Sequence, residues 1–386
     1  MGERAASVVL LALVMVSQSF LVIGQSELDD APKSLETDYG GPITYTDEHT
    51  YATLGPADRS TTLVMPGGHD YARPLPLVVA LHGYSGWGSQ NSVYMGLYDS
   101  VHENEHLLLS PDGTVNWFMQ RWWNATDSCC NNFNADVDDV GYLDDLIEEA
   151  IQSYGADPEG VVVMGLSNGG FMSHRMACDS GDVVRSIVSL NGATWDDFAS
   201  ECPDTGRPDI LHVHSTADSV IQYGGGSILG DEYPSAMESV GHWAARSGCD
   251  SSMTLLGSMD LINSDGLSET DSYENLNCAD GNRVAHWKIN NGSHVPSLND
   301  PAWADLTLSW ALSGFVRDSD GDGHRDDVDA FPYDSDEWND NDEDGIGDNE
   351  DPDDDNDGLT DSEEAGIGTD PLRWDTDSDG VSDMDD

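Results

Sequence analysis

Short apolar runs alternate with amphipathic stretches from about residue 44 to residue 315. The apolar runs predict buried strands at residues 76–82, 106–110, 161–164, 184–190, 210–214 and 284–289. A helical period runs from Val140 to Tyr154, and helices are also predicted at 169–178 and 301–315. Continuous apolar strands that alternate with helices are typical of a parallel sheet covered on both faces. We therefore predict an α/β fold.

The pattern changes abruptly after Phe315. Residues 318–386 are rich in Asp and Gly and contain few residues that could form a core. At the other end, a single basic residue, Arg4, precedes a largely apolar run from Ala5 to Ile23. This run is typical of a cleaved signal peptide, with a retained membrane anchor as the alternative. We predict a signal peptide (1–24), a flexible leader (25–43), an α/β domain (44–317) and a repeat segment (318–386), with no membrane span after cleavage.

Charge separates the last two parts further. The 386 residues carry a formal net charge of −60, from 74 acidic and 14 basic side chains. Residues 318–386 hold 30 of the acidic side chains and only two of the basic ones. The dense carboxylates elsewhere favour a protein adapted to salt, with ordinary solubility charge as the alternative. Because the chain has no basic footprint, nucleic acid is excluded as a partner.

The chain has six cysteines, an even number that fits disulfides in an oxidising compartment. They show no C-x-x-C spacing, so a zinc site is disfavoured. Six cysteines allow about fifteen pairings, and the spacing alone does not choose among them.

A G-x-S-x-G sequence at residues 165–169 follows one of the predicted strands and precedes a predicted helix. A turn between strand and helix holds a serine hydroxyl above the edge of the sheet, and the glycines permit the tight backbone. This context predicts Ser167 as a nucleophile. The alternative is a glycine-rich turn with an incidental serine.

A nucleophilic serine needs a base and an orienting carboxylate. Where the serine lies in such a strand-to-helix turn, the acid follows it in the sequence and the histidine comes after the acid. Asp218 stands just after the predicted strand 210–214 and fits the acid, with a turn cap as the alternative. His294 lies in a loop after the last predicted strand and fits the base. His286 lies within that strand and His242 on a predicted helix, so both are less suitable.

Two further groups complete the predicted site. The backbone N–H groups of Tyr84 and Asn168 are placed to form an oxyanion hole, because one follows an early strand and the other follows the serine. The alternative for the first is a plain turn after the strand. The aromatic residues Trp87, Trp117 and Trp122 are candidates for binding an aromatic acid or a flat polymer surface, with packing as the alternative.

Several motifs recur in a fixed order: Leu81-His82-Gly83-Tyr84, Pro111-Asp112-Gly113, Asp138 to Tyr142, Gly165 to Met172, and His214 to Asp218. Together they resemble the secreted polyhydroxybutyrate depolymerase and feruloyl esterase family of α/β hydrolases, from about Leu75 to Phe315. The resemblance implies an α/β-hydrolase fold and the hydrolysis of carboxylic esters through an acyl-enzyme, with no cofactor for catalysis. It also implies Cys178–Cys202 and Cys249–Cys278 disulfides, and it leaves Cys129 and Cys130 as a candidate vicinal pair.

Four segments of residues 318–386 share one pattern, with acidic residues at positions 1, 3, 5, 9 and 12 of a loop and Gly at position 6. Oxygen ligands at alternate residues can wrap one calcium ion, and the glycine permits the sharp turn. The predicted ligands are Asp318, Asp320, Asp322, Asp326, Asp329; Asp340, Asp342, Asp344, Asp348, Asp351; Asp353, Asp355, Asp357, Asp361, Glu364; and Asp375, Asp377, Asp379, Asp383, Asp386.

The loops start at residues 318, 340, 353 and 375, so a longer and a shorter spacing alternate. This alternation of spacings resembles that of thrombospondin type 3 repeats. EF-hands are disfavoured because long amphipathic helices do not flank each loop, and a solvated acidic run would not repeat in phase. Calcium is therefore expected to order the segment, since too little apolar surface is present to do so. A stiff spacer or an arm that attaches to a cell surface or polymer is the expected role.

These observations predict a secreted or cell-surface serine esterase that acts on polymeric or small esters. Polyhydroxyalkanoate and feruloylated or acetylated polysaccharide are the candidate substrates, and the sequence does not choose between them. The alternative is a calcium-dependent adhesion protein whose hydrolase domain is inactive. A peptidase is a third possibility, although no propeller precedes the predicted catalytic domain.

Overall fold

The structure is a computed structural model that describes residues 44–45, 49–131, 135–263, 268–299, 301–316, 318, 320 and 322–386. The predicted signal peptide and leader lie outside the described residues. Two compact units are present: the described residues up to His69 with Leu75–Ser313, and Asp70–Pro74 with Gly314–Asp386. We call them the larger and the smaller unit. The predicted division between residues 317 and 318 stays a prediction.

The strands of the larger unit are β1 (Thr44–Tyr45), β2 (His49–Leu54), β3 (Thr61–Pro66), β4 (Leu75–Leu81), β5 (Leu107–Leu109), β6 (Thr114–Val115), β7 (Arg121–Trp122), β8 (Ala156–Leu166), β9 (Ser186–Leu190), β10 (Asp209–Ser215), β11 (Gly226–Ile228), β12 (Asp231–Tyr233), β13 (Met253–Met259), β14 (Thr270–Asn275) and β15 (Val284–Ile289). Eleven of them form one sheet in the order β1-β2-β3-β5-β4-β8-β9-β10-β15-β14-β13. The pairs β6–β7 and β11–β12 form two small antiparallel ladders.

The six central strands are parallel, in the order β5, β4, β8, β9, β10 and β15. The flanking strands pair antiparallel. All six predicted strands are present, so the predicted α/β class is confirmed. Because the central strands are parallel, the carboxyl ends of β4, β8, β10 and β15 meet at one edge of the sheet.

The helices are α1 (Gly88–Tyr94), α2 (Leu97–Glu103), α3 (Asp139–Tyr154), α4 (Asn168–Asp179), α5 (Phe198–Glu201), α6 (Ala236–Arg246), α7 (Ala302–Ala311) and α8 (Asp361–Ile367). The Asp138 carboxylate caps α3 by accepting from Gly141 N–H, and Gly155 ends that helix in the left-handed region at φ 68°. Helix α7 is shorter than predicted, because the chain turns at Gly314 with φ 74°.

The core has two layers, one on each face of the sheet. Alternate residues of β4 point to opposite faces, so Val79 packs in the layer that holds Leu143 of α3. Val78 packs in the opposite layer with Trp303 of α7. The two helical faces thus cover β4 completely, and all seven of its residues are buried.

Three disulfides are present among the described residues: Cys129–Cys130, Cys178–Cys202 and Cys249–Cys278. The two pairings implied by the resemblance are therefore confirmed, and the candidate vicinal pair also forms.

The Cys178–Cys202 disulfide joins the end of α4 to the residue after α5, across a sequence separation of 24 residues. Closing a loop of this length is worth about 3 kcal/mol through the unfolded chain. We expect the double substitution of Cys178 and Cys202 to Ala to lower the free energy of unfolding by about that amount. Urea unfolding of the variant beside the wild type measures the difference. An unchanged midpoint with an unchanged slope would contradict this expectation.

Candidate active site

Ser167 occupies the sharp turn between β8 and α4. Its backbone lies at φ 55° and ψ −118°, and its side chain does not cap the helix that it precedes. A Cβ at Gly165 would lie 2.1 Å from the Gly169 carbonyl oxygen, and a Cβ at Gly169 would lie 2.1 Å from that of Leu81. Only glycine fits these two positions, so the G-x-S-x-G spacing is required by the turn itself.

The three predicted triad residues lie in one hydrogen-bonded series. The Ser167 hydroxyl is 2.9 Å from Nε2 of His294, and Nδ1 of His294 is 2.7 Å from an Asp218 carboxylate oxygen. The second Asp218 oxygen accepts backbone N–H groups of Val220 at 2.8 Å and Ile221 at 2.9 Å. All three side chains are nearly buried. Two pairs of residues that are 127 and 76 positions apart in the sequence are thus held in hydrogen-bonding contact.

The two alternative bases lie elsewhere. His286 is buried within β15 and contacts the His212 carbonyl through Nδ1, at 2.8 Å. His242 lies on α6 and contacts the Thr194 hydroxyl at 3.1 Å. Neither contacts the Ser167 hydroxyl.

The loop after β4 lies directly against the serine. A Cβ added at Gly83 would come within 3.4 Å of the Ser167 Cβ. The loop is fixed by hydrogen bonds from Ser85 N–H to the Arg121 carbonyl (2.8 Å) and from Gly86 N–H to that of Gly83 (2.9 Å). Tyr84 therefore lies in a hydrogen-bonded segment beside the serine, and the oxyanion role of its N–H stays a prediction.

His82 also fixes this loop. Its Nδ1 donates to the Gly83 carbonyl at 2.7 Å, and its Nε2 accepts Gly113 N–H at 2.8 Å. Burial lowers the pKa of His82 to about 4. The imidazole is therefore neutral at physiological pH, which the acceptor role of Nε2 demands.

The side chain of Asn168 has a role that the sequence did not predict. Its amide oxygen accepts Trp123 N–H at 2.7 Å, and its Nδ2 donates to the Trp123 carbonyl at 3.0 Å. The fully buried amide thus pairs with both backbone groups of a residue 45 positions away. It fixes the residue whose own N–H is the predicted oxyanion donor. No local pattern signals such a distant partner.

We expect Asn168→Ala to lower the free energy of unfolding by about 1–3 kcal/mol, because two buried backbone groups lose their partner. We also expect kcat to fall about tenfold, since the first turn of α4 loses its tether. Asn275→Ala is the matched control, because its amide is also buried and donates to the Asp250 carbonyl at 2.8 Å. That variant should lose stability and keep kcat. Equal kcat values for both variants would contradict a role for Asn168 in the site.

The four acidic loops of the smaller unit repeat one geometry. The position 6 glycines, Gly323, Gly345, Gly358 and Gly380, have φ values between 91° and 101°. Each donates its N–H to the position 1 carboxylate of its own loop, at 2.7–3.1 Å. Ligand oxygens of positions 1, 3 and 5 lie within 4.8 Å of one another in every loop. Four concave sets of carboxylate oxygens result.

The position 9 carboxylates of the last three loops are directed differently. Asp348, Asp361 and Asp383 accept the backbone N–H of position 2 in their own loops, at 2.9, 3.1 and 3.1 Å. They close the loop instead of joining the cluster of positions 1, 3 and 5. Their assignment as calcium ligands stays a prediction.

The donor sets fit a hard divalent cation. Buried carboxylate oxygens of Asp320, Asp342 and Asp355, all at position 3, have no hydrogen-bond partner among the described residues. Glu364, at position 12 of the third loop, is fully buried. Burial and the neighbouring Asp355 carboxylate raise the pKa of Glu364 to about 7. Carboxylates crowded in this way are stabilised by a cation that all of them bind.

Known proteins match both parts of the chain. The chain is 27% identical over 272 residues to feruloyl esterase B of Piromyces equi, covering 66% of this chain and 46% of that protein. It is 27% identical over 177 residues to a probable feruloyl esterase C of Aspergillus niger, covering 45% of this chain and 60% of that protein. The chain resembles feruloyl esterases.

The resemblance predicted from the motifs is therefore confirmed, although the chain spans only about half the length of the curated relatives it matches. Residues 353–373 match the bacterial TSP3 repeat. Among solved structures, the acetyl xylan esterase from Aspergillus awamori aligns with a TM-score of 0.49 and 15% identity, covering 68% of this chain and 98% of that one.

The aromatic candidates of this feruloyl esterase-like chain divide by exposure. Trp87 is 48% exposed, and Trp117 is 92% exposed in the turn between β6 and β7. Trp122 is only 2% exposed, so it packs within the unit and is not available at the surface. The Tyr84 hydroxyl accepts from Asn116 Nδ2 at 2.9 Å, which ties this hairpin to the loop after β4. Trp117 is thus presented on a fixed support.

The described helices include none with the length and apolar character needed to cross a membrane. The predicted signal peptide and its anchor alternative lie outside the residues that the structure describes.

Proposed function

We propose that this chain is a secreted serine esterase that hydrolyses carboxylic esters through an acyl-enzyme. The observation that carries the proposal is the hydrogen-bonded series from Asp218 through His294 to Ser167. The similarity to feruloyl esterases supports the same chemistry. Three disulfides and the predicted signal peptide support secretion, because disulfides persist in oxidising compartments.

In the first half of the reaction, Nε2 of His294 takes the proton of the Ser167 hydroxyl while its oxygen attacks the ester carbonyl carbon. The Asp218 carboxylate accepts a hydrogen bond from Nδ1–H of His294 and stabilises the imidazolium that forms. The backbone N–H groups of Tyr84 and Asn168 bind the developing oxyanion. Collapse of the tetrahedral intermediate expels the alcohol, which receives the proton from His294 and leaves an acyl group on Ser167.

In the second half, water replaces the alcohol. His294 removes a proton from the water as it attacks the acyl carbon, and the same two N–H groups stabilise the second oxyanion. The acid departs as His294 returns the proton to the Ser167 oxygen. No step requires a cofactor.

We propose a feruloylated or acetylated polysaccharide as the substrate, with a polyhydroxyalkanoate as the other candidate. The names of the similar enzymes favour the first. Trp87, at the start of α1, and Trp117, in the β6–β7 turn, add support, because exposed indole rings can stack on a flat aromatic acid or lie against a polymer.

We propose that the smaller unit binds calcium through the carboxylates of positions 1, 3, 5 and 12 in each loop. Bound calcium would order the loops and supply no chemistry to the reaction. The match of residues 353–373 to the bacterial TSP3 repeat supports this role. The ordered segment would act as a stiff spacer or an attachment arm.

Hydrolysis of methyl ferulate, acetylated xylan, p-nitrophenyl butyrate and polyhydroxybutyrate film tests the substrate proposal, with calcium and salt present. We expect hydrolysis of the short ester and a preference for methyl ferulate or acetylated xylan over the film. Preference for the film would favour the polyhydroxyalkanoate alternative. A folded, calcium-loaded protein that hydrolyses none of the four would favour the adhesion protein instead.

A further inference from the structure

Three buried histidines outside the triad form one hydrogen-bonded chain. His174 lies on α4, and His212 and His214 lie on β10. Nε2 of His174 is 3.1 Å from Nδ1 of His212, and Nε2 of His212 is 3.2 Å from Nδ1 of His214. None of the three is more than 1% exposed. This series of hydrogen bonds begins at the Trp243 indole N–H, 3.1 Å from Nδ1 of His174.

The indole sets the direction of donation along this series of hydrogen bonds, because an indole nitrogen can only donate. Nδ1 of His174 must therefore accept, so its proton is on Nε2 and is donated to His212. The same argument places the proton on Nε2 of His212 and then of His214. Burial lowers the pKa of His174 to about 3 and also lowers those of His212 and His214, so all three rings are neutral.

The series of hydrogen bonds ends at the turn that holds the catalytic carboxylate. Nε2 of His214 is 2.9 Å from the Ile221 carbonyl oxygen, to which it donates. Ile221 in turn donates its N–H to Asp218 Oδ1. Nε2 of His214 also lies 3.8 Å from the other Asp218 oxygen, the one bonded to His294. A ring with its proton on Nδ1 would instead present a lone pair to this carbonyl and carboxylate.

We propose that His214 is a positioning residue for Asp218, and that the hydrogen-bonded chain from Trp243 fixes the tautomer in which it acts. The proposal rests on the proposed function, because its target is the acid of the triad. His214 hydrogen-bonds to the Ile221 carbonyl and acts through the turn from Asp218 to Ile221.

Titratable groups face the His214 ring from each neighbouring element. Asp218 and His294 face it on the triad side. His212 is its neighbour on β10, and the Tyr223 ring packs edge-on at 5.6 Å. His286 on β15 contacts the Tyr223 hydroxyl at 2.9 Å. Asp218 is thus the anion nearest to His214.

The first test is His214→Phe, which keeps a ring and removes both nitrogens. We expect kcat to fall about 100-fold with KM nearly unchanged, because Asp218 loses its alignment with His294. The acid limb of the kcat/KM profile should move to lower pH, because a displaced carboxylate stabilises the His294 imidazolium less. His214→Gln keeps an N–H donor and should restore most of kcat and the original limb.

The second test leaves His214 in place. Trp243→Phe removes only the donor that sets the direction, and Trp303→Phe is the control. Trp303 is also fully buried, but its indole nitrogen has no hydrogen-bond partner among the described residues. Long-range ¹⁵N–¹H spectra of histidine-labelled protein should show Nε2–H tautomers for His174, His212 and His214. Trp243→Phe should mix these tautomers and shift the acid limb, and Trp303→Phe should do neither.

The outcomes separate this inference from the proposed function. An unshifted acid limb in both His214→Phe and Trp243→Phe, with Ser167-dependent activity retained, would overturn the inference alone. Nδ1–H tautomers for His212 and His214 in the wild type would also overturn it, even if His214→Phe fails to fold. Activity that does not depend on Ser167 would instead remove the proposed function.

Discussion

Ser167→Ala is expected to lower kcat for ester hydrolysis by about five to six orders of magnitude. The substitution removes the nucleophile that lies 2.9 Å from Nε2 of His294, while the oxyanion donors and the substrate contacts remain. A small residual rate above that of water should persist, because those groups still stabilise the transition state. Steady-state hydrolysis of p-nitrophenyl butyrate over a wide range of enzyme concentration measures the loss.

Ser186→Ala is the matched control for this substitution. Ser186 is as buried as Ser167, but it lies at the amino end of β9 and donates to the Ala311 carbonyl at 3.0 Å. We expect that variant to keep kcat within about twofold, with a loss of stability of about 1 kcal/mol from the hydrogen bond. Ser167→Ala activity comparable with that of Ser186→Ala would contradict the assignment of the nucleophile.

Removal of calcium is expected to unfold the smaller unit. Its loops bring three carboxylates within 4.8 Å at each of four places, and without a cation these like charges repel one another. Each bound ion stabilises the folded form by about 4 kcal/mol when its concentration is a thousand times the Kd. Limited proteolysis with and without a chelator should show cleavage between residues 314 and 386 only when calcium is absent. Calorimetric titration of the chelated full chain should report about four calcium ions, one per loop.

Glu364→Gln tests one loop of the set, because it replaces a fully buried carboxylate at position 12 with a neutral amide. We expect calcium affinity at that loop to fall by at least about tenfold, since affinity follows ligand charge. Glu350→Gln is the control, because Glu350 is exposed and lies outside the ligand positions. Resistance of the chelated protein to proteases, together with equal affinities for both variants, would contradict a calcium role.

The central strands and the meeting of Ser167, Asp218 and His294 could be predicted from the sequence because their signals are local. The apolar run at 284–289 corresponds to β15, and the strand at 161–164 leads directly to the serine turn. Chain order then restricts the acid and the base to the loops after later strands. The structure brings Ser167, Asp218 and His294 together at the edge where those strands end.

β13 and β14, at one edge of the sheet, were not predicted because they lack an apolar pattern. β13 exposes its five middle residues, including Leu255 and Leu256, and β14 is largely polar. β14 pairs antiparallel with β15, and β13 pairs antiparallel with β14, so the structure of each depends on its neighbour and not on its own periodicity.

Long-range hydrogen bonds also could not be predicted from the sequence. The Asn168 amide pairs with Trp123, and the chain of histidines runs from α6 through α4 to β10. Each is set by side chains that are far apart in the sequence. Trp122 shows the same limit, because composition alone did not distinguish a packed indole from an exposed one.

Covalent trapping of the nucleophile tests the central claim most directly. The protein would be treated with a fluorophosphonate, digested, and analysed by mass spectrometry, with the Ser167→Ala variant and an Asp218→Asn variant beside it. We predict one phosphonyl group per chain on Ser167, none in Ser167→Ala, and much slower labelling in Asp218→Asn. A folded wild-type protein that stays unlabelled, or that is labelled at another serine, would contradict the account.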